Sequence, residues 1–232
     1  MSRRALRLGV LGLAVTACIL FVPAVLAQGS GAGLTNSPHD FSTSGWNDTD
    51  EMCRVCHVPH DHNRDIGLVG LLWNHALSTQ TYTLYSSASL DGATSQPTGL
   101  AKMCLSCHDG TVGIDSFDSE HNNGSTFFID DFNDEYKIPN LPGSPNDLSA
   151  THPISIVYDE TADPGLNPKT SAMGGSGTIA DVLDGDLVQC SSCHDVHDGV
   201  GEAVDGTHLL RVAQTTADGA SPSALCLTCH NK

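Results

Sequence analysis

Cys53-Arg54-Val55-Cys56-His57 decides the reading of the whole chain, because the same five-residue pattern returns three times. It recurs as Cys104-Leu105-Ser106-Cys107-His108, as Cys190-Ser191-Ser192-Cys193-His194 and as Cys226-Leu227-Thr228-Cys229-His230. In C-x-x-C-H, two cysteines three positions apart share one side of a helical turn. Each can then form a thioether to one haem vinyl group. The adjacent histidine projects onto the iron as its proximal ligand. Cysteine pairs also form disulfides in exported proteins and bind zinc, but neither use requires a histidine directly after every pair. With 12 His in 232 residues, four such coincidences have a chance on the order of one in 10⁵. The motifs predict four covalently attached haem c groups, held by Cys53, Cys56, Cys104, Cys107, Cys190, Cys193, Cys226 and Cys229, with His57, His108, His194 and His230 as proximal iron ligands.

The motifs fall into an internal repeat. Residues 53–60 read CRVCHVPH and residues 190–197 read CSSCHDVH, and each is followed by a plainer site, MCLSCHDG from Met103 and LCLTCHNK from Leu225. One haem pair therefore spans 53–108 and a second spans 190–230. Between them, 109–189 is rich in Gly, Pro, Asn, Asp and Ser and reads as a loop-rich insertion. A short strand is expected over Ile154-Ser155-Ile156-Val157-Tyr158. The run Asp130-Asp131-Phe132-Asn133-Asp134-Glu135 offers carboxylates for calcium but lacks EF-hand spacing, so it reads as a solvated loop.

Composition bounds the rest. Ten Lys+Arg stand against 27 Asp+Glu, a formal charge of −17. That balance excludes a nucleic-acid partner, since phosphate neutralisation needs basic residues. One apolar run is long enough to matter for a membrane, and it lies at the N-terminus. Arg3, Arg4 and Arg7 precede an apolar stretch from Leu8 to Leu20. Pro23 then breaks the helix and Val25-Leu26-Ala27 offers a small-residue cleavage site. Residues 1–27 are therefore expected to be a signal peptide. Ser2-Arg3-Arg4 hints at twin-arginine export, though the rest of that pattern is weak. Val15-Thr16-Ala17-Cys18 resembles a lipoprotein signal, but the chain stays apolar from Ile19 to Leu26 where a lipoprotein turns polar. The mature chain, 28–232, is expected to be exported to the cell exterior or outer-membrane surface, with the periplasm as the alternative. It keeps 7 basic against 27 acidic groups.

Mature chain length divided by four gives about 51 residues per haem, so the cofactors themselves must form the core of a single tetrahaem cytochrome c domain. The expected fold is haem-cored, mostly coil with short α-helices and little β, and with no regular sheet architecture. Folding is expected to depend on the cofactor, as it does in small metallo-domains.

The sixth iron ligand decides the chemistry. Eight histidines lie outside the motifs: His39, His60, His62, His75, His121, His152, His197 and His208. In the mature chain methionine is confined to Met52, Met103 and Met173, and the first two abut an attachment cysteine. Bis-His coordination is expected at all four irons. His60 and His197 each lie three residues after a proximal histidine, a reach of at most about 10 Å. Neither loops easily to the far face of its own haem, so they are assigned to the second haem of their pair, at Cys104/Cys107 and Cys226/Cys229. His75, in Leu71-Leu72-Trp73-Asn74-His75, and His152, before Pro153, stand in apolar surroundings and read as buried ligands, with a hydrogen-bonded core histidine as the alternative. His39 ends a Gly/Ser-rich arm, 28–40, and completes the candidate ligand set. Five candidates thus compete for four positions.

The strings CRVCHVPH, LWNHAL, CLSCHDGTV, HPISIVYD, CSSCHDVH and LCLTCHNK together resemble the exported multihaem cytochromes of metal-reducing bacteria, and among them the tetrahaem type that polymerises into conductive extracellular filaments, or nanowires. The resemblance runs from about Pro38 to Lys232. It implies stacked bis-His haems, a head-to-tail homopolymer with the chain itself as partner, and onward transfer to other multihaem cytochromes or extracellular electron acceptors. It also implies that one histidine is donated to a haem in the next subunit, and His39 on its arm suits that role.

Three classes of function follow. An electron carrier or polymeric conductor fits every motif. A soluble periplasmic electron shuttle shares the haem features and differs only in assembly. A multihaem reductase needs an open iron position, often with an altered proximal ligand. All four motifs here end in His and further histidines are plentiful, which argues against an enzyme.

Overall fold

The computed structural model describes residues 34–58, 72–118, 126–131, 136–138, 146–174, 176–197, 209–212 and 223–231. The leader 1–27 and the candidate His60 lie outside these residues, as do His62, His121 and His208. Most of the described chain is turn and coil. Three α-helices interrupt it: α1, Gly99–His108; α2, Cys190–Cys193; and α3, Ala224–Cys229. Single 3-10 turns occur at Phe41–Thr43, Ile129–Asp131 and Ile179–Val182. Two strands, β1 (Ile156–Val157) and β2 (Leu187–Val188), pair antiparallel in the register Ile156 to Val188. The coil-dominated architecture with short helices and little β is as the sequence implies.

The helices coincide with the cysteine motifs for a local reason. A histidine N–H donates back to the first cysteine's carbonyl, closing one helical turn: His57 to Cys53 at 2.8 Å, His194 to Cys190 at 3.0 Å and His230 to Cys226 at 2.8 Å. After the turn the backbone at His194 and His230 becomes extended, with nearly identical dihedrals of −109°/139° and −109°/140°. The histidine thus leaves the turn in a fixed direction.

α1 is the longest helix and packs against α2. It starts at Gly99, whose φ is +48° and whose missing Cβ would sit 2.7 Å from Asp184 Oδ2, so the chain can enter the helix there only as glycine. Ala101, Met103, Leu105 and Ser106 are its buried side. α2 is pinned through Ser192, whose hydroxyl accepts from Gln189 N and donates to Val182 O.

The apolar core is divided. Tyr82, Leu105 and Leu148 form one cluster, flanked by Leu84 and Ile154. Met173, Val182 and Leu225 form another, flanked by Cys193, Leu210 and Val212. Polar groups are buried as well. Buried Asp109 accepts from Ser78 Oγ, Tyr82 Oη, and the backbone and hydroxyl of Thr111. Fully buried Asp118 takes the guanidinium of Arg54, with Nε at 2.9 Å.

The expected strand over 154–158 shortens to two residues. Ser155 adopts φ +54°, a left-handed bend that an extended strand cannot carry. There its hydroxyl accepts from Thr98 N and donates to Gln189 Oε1. In the acidic run, Asp130 pairs with Lys137 and Asp131 accepts from Phe128 N; residues 132–135 lie outside the described chain.

Candidate haem-binding site

All eight motif cysteines are free thiols in this structure. Burial is the leading force on four of them, whereas a mutual hydrogen bond leads for Cys104 and Cys190. Burial pushes Cys56 up to about 12 and Cys229 to about 11, and it raises Cys107 and Cys193. The thiols also act on one another, and the pattern orders the motifs in space. Cys56 interacts with Cys104 and Cys107, Cys104 hydrogen-bonds with Cys190, and Cys193 interacts with Cys226 and Cys229. Packing agrees: α1 lies on α2, and Leu225 of α3 shares a cluster with Cys193. The four motifs follow one another in space as in sequence. Among the described residues no group of three or more His, Cys, Asp or Glu is placed to hold a bare metal ion, so the cysteines are not gathered as a zinc tetrad is.

The histidines are paired. His57 faces His197 with ring centroids 6.2 Å apart, His108 faces His39 at 6.0 Å, and His230 faces His152 at 6.2 Å. Each pair joins one motif histidine to one from outside the motifs. An imidazole nitrogen binds a transition metal at about 2 Å, and the ring centroid lies about 1.1 Å behind that nitrogen, given ring bonds of about 1.35 Å. Two imidazoles in line through one iron therefore have centroids about 6 Å apart, and the three observed pairs fit. His194, the fourth motif histidine, lies close enough to the His108/His39 pair to act electrostatically on both.

Protonation favours ligation. Burial holds His39 down to about 4, and neighbouring His108, His194 and His197 lower it further. Burial also lowers His108, and it lowers His197 with help from His57. These imidazoles are neutral near pH 7, the form that offers a lone pair to a metal. Backbone carbonyls orient two of the rings: with Nδ1 protonated, His108 donates to Tyr136 O at 2.6 Å and His152 to Pro153 O at 2.9 Å. That leaves Nε2 on the far side of each ring.

Several assignments change. His197 stands against His57 of the first motif, where the repeat argument placed it on the haem of Cys226/Cys229. Reach excluded only its own haem; long-range pairing makes the choice. Asp195 N donates to Leu209 O and Arg211 N to Cys193 O, which turns the chain after His194. The place beside His108 that was given to His60 is held by His39. His39 thus stands beside His108 of its own chain.

His75 is fully buried, as expected, but its Nδ1 lies 2.8 Å from Ala76 O and its Nε2 3.0 Å from Gly113 O, with Cys107 Sγ 3.5 Å away. This is the hydrogen-bonded core histidine of the alternative reading. His152 is exposed rather than buried: it follows a bend at Thr151, and its ring lies beside that of His230. Trp73 was not anticipated: its ring packs edge-on against both His57 and His75. Its place between Leu72 and Asn74, two residues before a candidate histidine, was the available signal.

No protein-family model and no curated protein matches the chain. Among the described residues no helix is long and apolar enough to cross a membrane.

Proposed function

We propose that the chain is a tetrahaem c-type cytochrome, an electron carrier rather than an enzyme. The observation that carries this reading is the facing of His57, His108 and His230 by His197, His39 and His152 at 6.0–6.2 Å. Bound haem would supply a reversible one-electron iron couple. The residues that would hold it are the eight motif cysteines and the paired histidines. The chain's own part is to keep His39, His108 and His197 neutral through burial, to aim Nε2 of His108 and His152 by carbonyl contacts at Nδ1, and to set the four motifs side by side in order. A ligand on both faces at these three irons suits outer-sphere electron transfer and leaves none of the three a position for a substrate.

Assembly into a head-to-tail extracellular filament that passes electrons to other cytochromes or external acceptors is the favoured form. Support comes from apolar side chains exposed at both ends of the motif series. Leu72 and Val196 flank the residues of the His57/His197 pair, and Leu227 lies within the fourth motif at 51% exposure. The second reading, a soluble periplasmic shuttle, is favoured by His39, which completes its pair inside one chain. Mass spectrometry and optical spectra of the exported protein test the haem reading: four haem adducts and six-coordinate low-spin iron are expected, and fewer adducts overturn it. Negative-stain microscopy with sedimentation separates filament from shuttle.

A further inference from the structure

Resting on the tetrahaem reading, one cluster beside the third motif has a role that neither the motifs nor the repeat assigns. Asp195 follows the motif directly. Its Oδ2 accepts from Arg211 Nη1 at 3.0 Å, and its Oδ1 accepts from the backbone N–H of His197 at 3.1 Å. Arg211 is held in turn: its Nε donates to Ser191 O at 2.7 Å, its Nη1 also reaches Ser176 Oγ at 3.3 Å, and its backbone N–H donates to Cys193 O. Both side chains are largely buried, at 17% and 16% exposure, so the charge-assisted bonds are little screened by water. The result is a rigid link from the motif-3 turn to the His197 backbone.

His197 differs from the other non-motif partners in orientation. Its ring lies 28° from the plane of His57, whereas His39 and His152 are crossed to their partners by 55° and 61°. Parallel axial imidazoles both act on the same iron dπ orbital and separate it in energy from the other; crossed imidazoles leave the two close together. Axial orientation is thus an electronic lever as well as a structural one.

We propose that Arg211 and Asp195 are positioning residues that hold His197 nearly parallel to His57 as the sixth ligand of the iron at Cys53/Cys56, giving that haem an electronic state distinct from those at His108/His39 and His230/His152.

Low-temperature EPR of the ferric holoprotein tests this. The wild type is expected to show a rhombic low-spin signal that His197→Ala abolishes, together with broad high-g low-spin signals that His197→Ala spares. Arg211→Gln and Asp195→Asn should move the rhombic signal to the broad class or to high spin and leave the other signals in place, and Arg211→Lys should restore it in part. A rhombic signal unchanged in both variants, or unchanged in His197→Ala, overturns the proposal. If Arg211→Gln fails to accumulate with four haems, Asp195→Asn decides alone, since it keeps the side chain's shape and removes only its charge. Absence of any low-spin signal in the wild type overturns the tetrahaem reading itself, whereas four broad signals overturn only the positioning role.

Discussion

His57 and His197 face each other with ring centroids 6.2 Å apart although they belong to different cysteine motifs. On the proposed haem reading, the second repeat completes the first and the two haem pairs would form one interlocked unit. Removing either histidine should then affect the same iron.

His39→Ala should convert the iron at Cys104/Cys107 to a high-spin or five-coordinate state, because His39 is the ring that faces His108. Assembly should be unchanged, since the contact is made within one chain. Optical spectra and sedimentation of the variant check both halves. A variant that loses its filaments together with its low-spin signal would show the arm acting in trans.

His75→Ala should keep all four irons low-spin and lower stability by about 2–4 kcal/mol. The cost is a cavity plus the loss of the one N–H that the neutral ring donates, to Ala76 O or to Gly113 O. Denaturant unfolding followed by the Soret band measures the loss. High-spin iron in this variant would instead make His75 a ligand.

Acidification should release the N-terminal arm. His39 is buried, and its folded value of about 4 lies below the ordinary 6.5. A group depressed in this way adds stability above pH 6.5 and loses it as pH falls toward 4. The total is roughly 3 kcal/mol. Iron bound at the same ring, on the proposed reading, would push the release lower still. An acid titration of the ferric protein should show low-spin character lost on the acid side, with no matching change on raising the pH from 7 to 9.

Arg54→Ala should destabilise the first motif by about 3 kcal/mol, because it strips a fully buried carboxylate, Asp118, of its guanidinium. Arg54→Lys should recover only part of that, lacking the two-pronged donor that the Nε and Nη2 contacts use. Thermal unfolding of the two variants gives the comparison.

Gly99→Ala should cost about 1–2 kcal/mol, from a left-handed φ and a new methyl group pressed against Asp184. The loss should appear as looser packing of α1 on α2, read by hydrogen exchange at residues 101–106.

What the sequence made legible was local. The C-x-x-C-H turns are closed by bonds four residues long, and their spacing alone foretold helices at α1, α2 and α3. The same holds for the coil between them, given its glycine, proline and short polar residues. What stayed hidden depends on distant partners. Ser155 looks like any strand residue until Thr98 and Gln189 claim its hydroxyl and bend the backbone. His197 looks like the twin of His60, and only the pairing of 194–195 with 209–211 turns it toward His57. His75 has the apolar neighbours of a ligand, yet the carbonyl that meets its Nε2 comes from Gly113.

The His57/His197 pairing also bears on biogenesis. A chain threaded through a membrane with its N-terminus first delivers His39 before His108 and His152 before His230, so each partner is already waiting when its motif emerges. His57 emerges long before His197. Throughout that interval the first haem would be the one that can capture a foreign ligand. If the chain carries haem as proposed, its correct maturation would depend on the third motif arriving soon enough to displace that ligand.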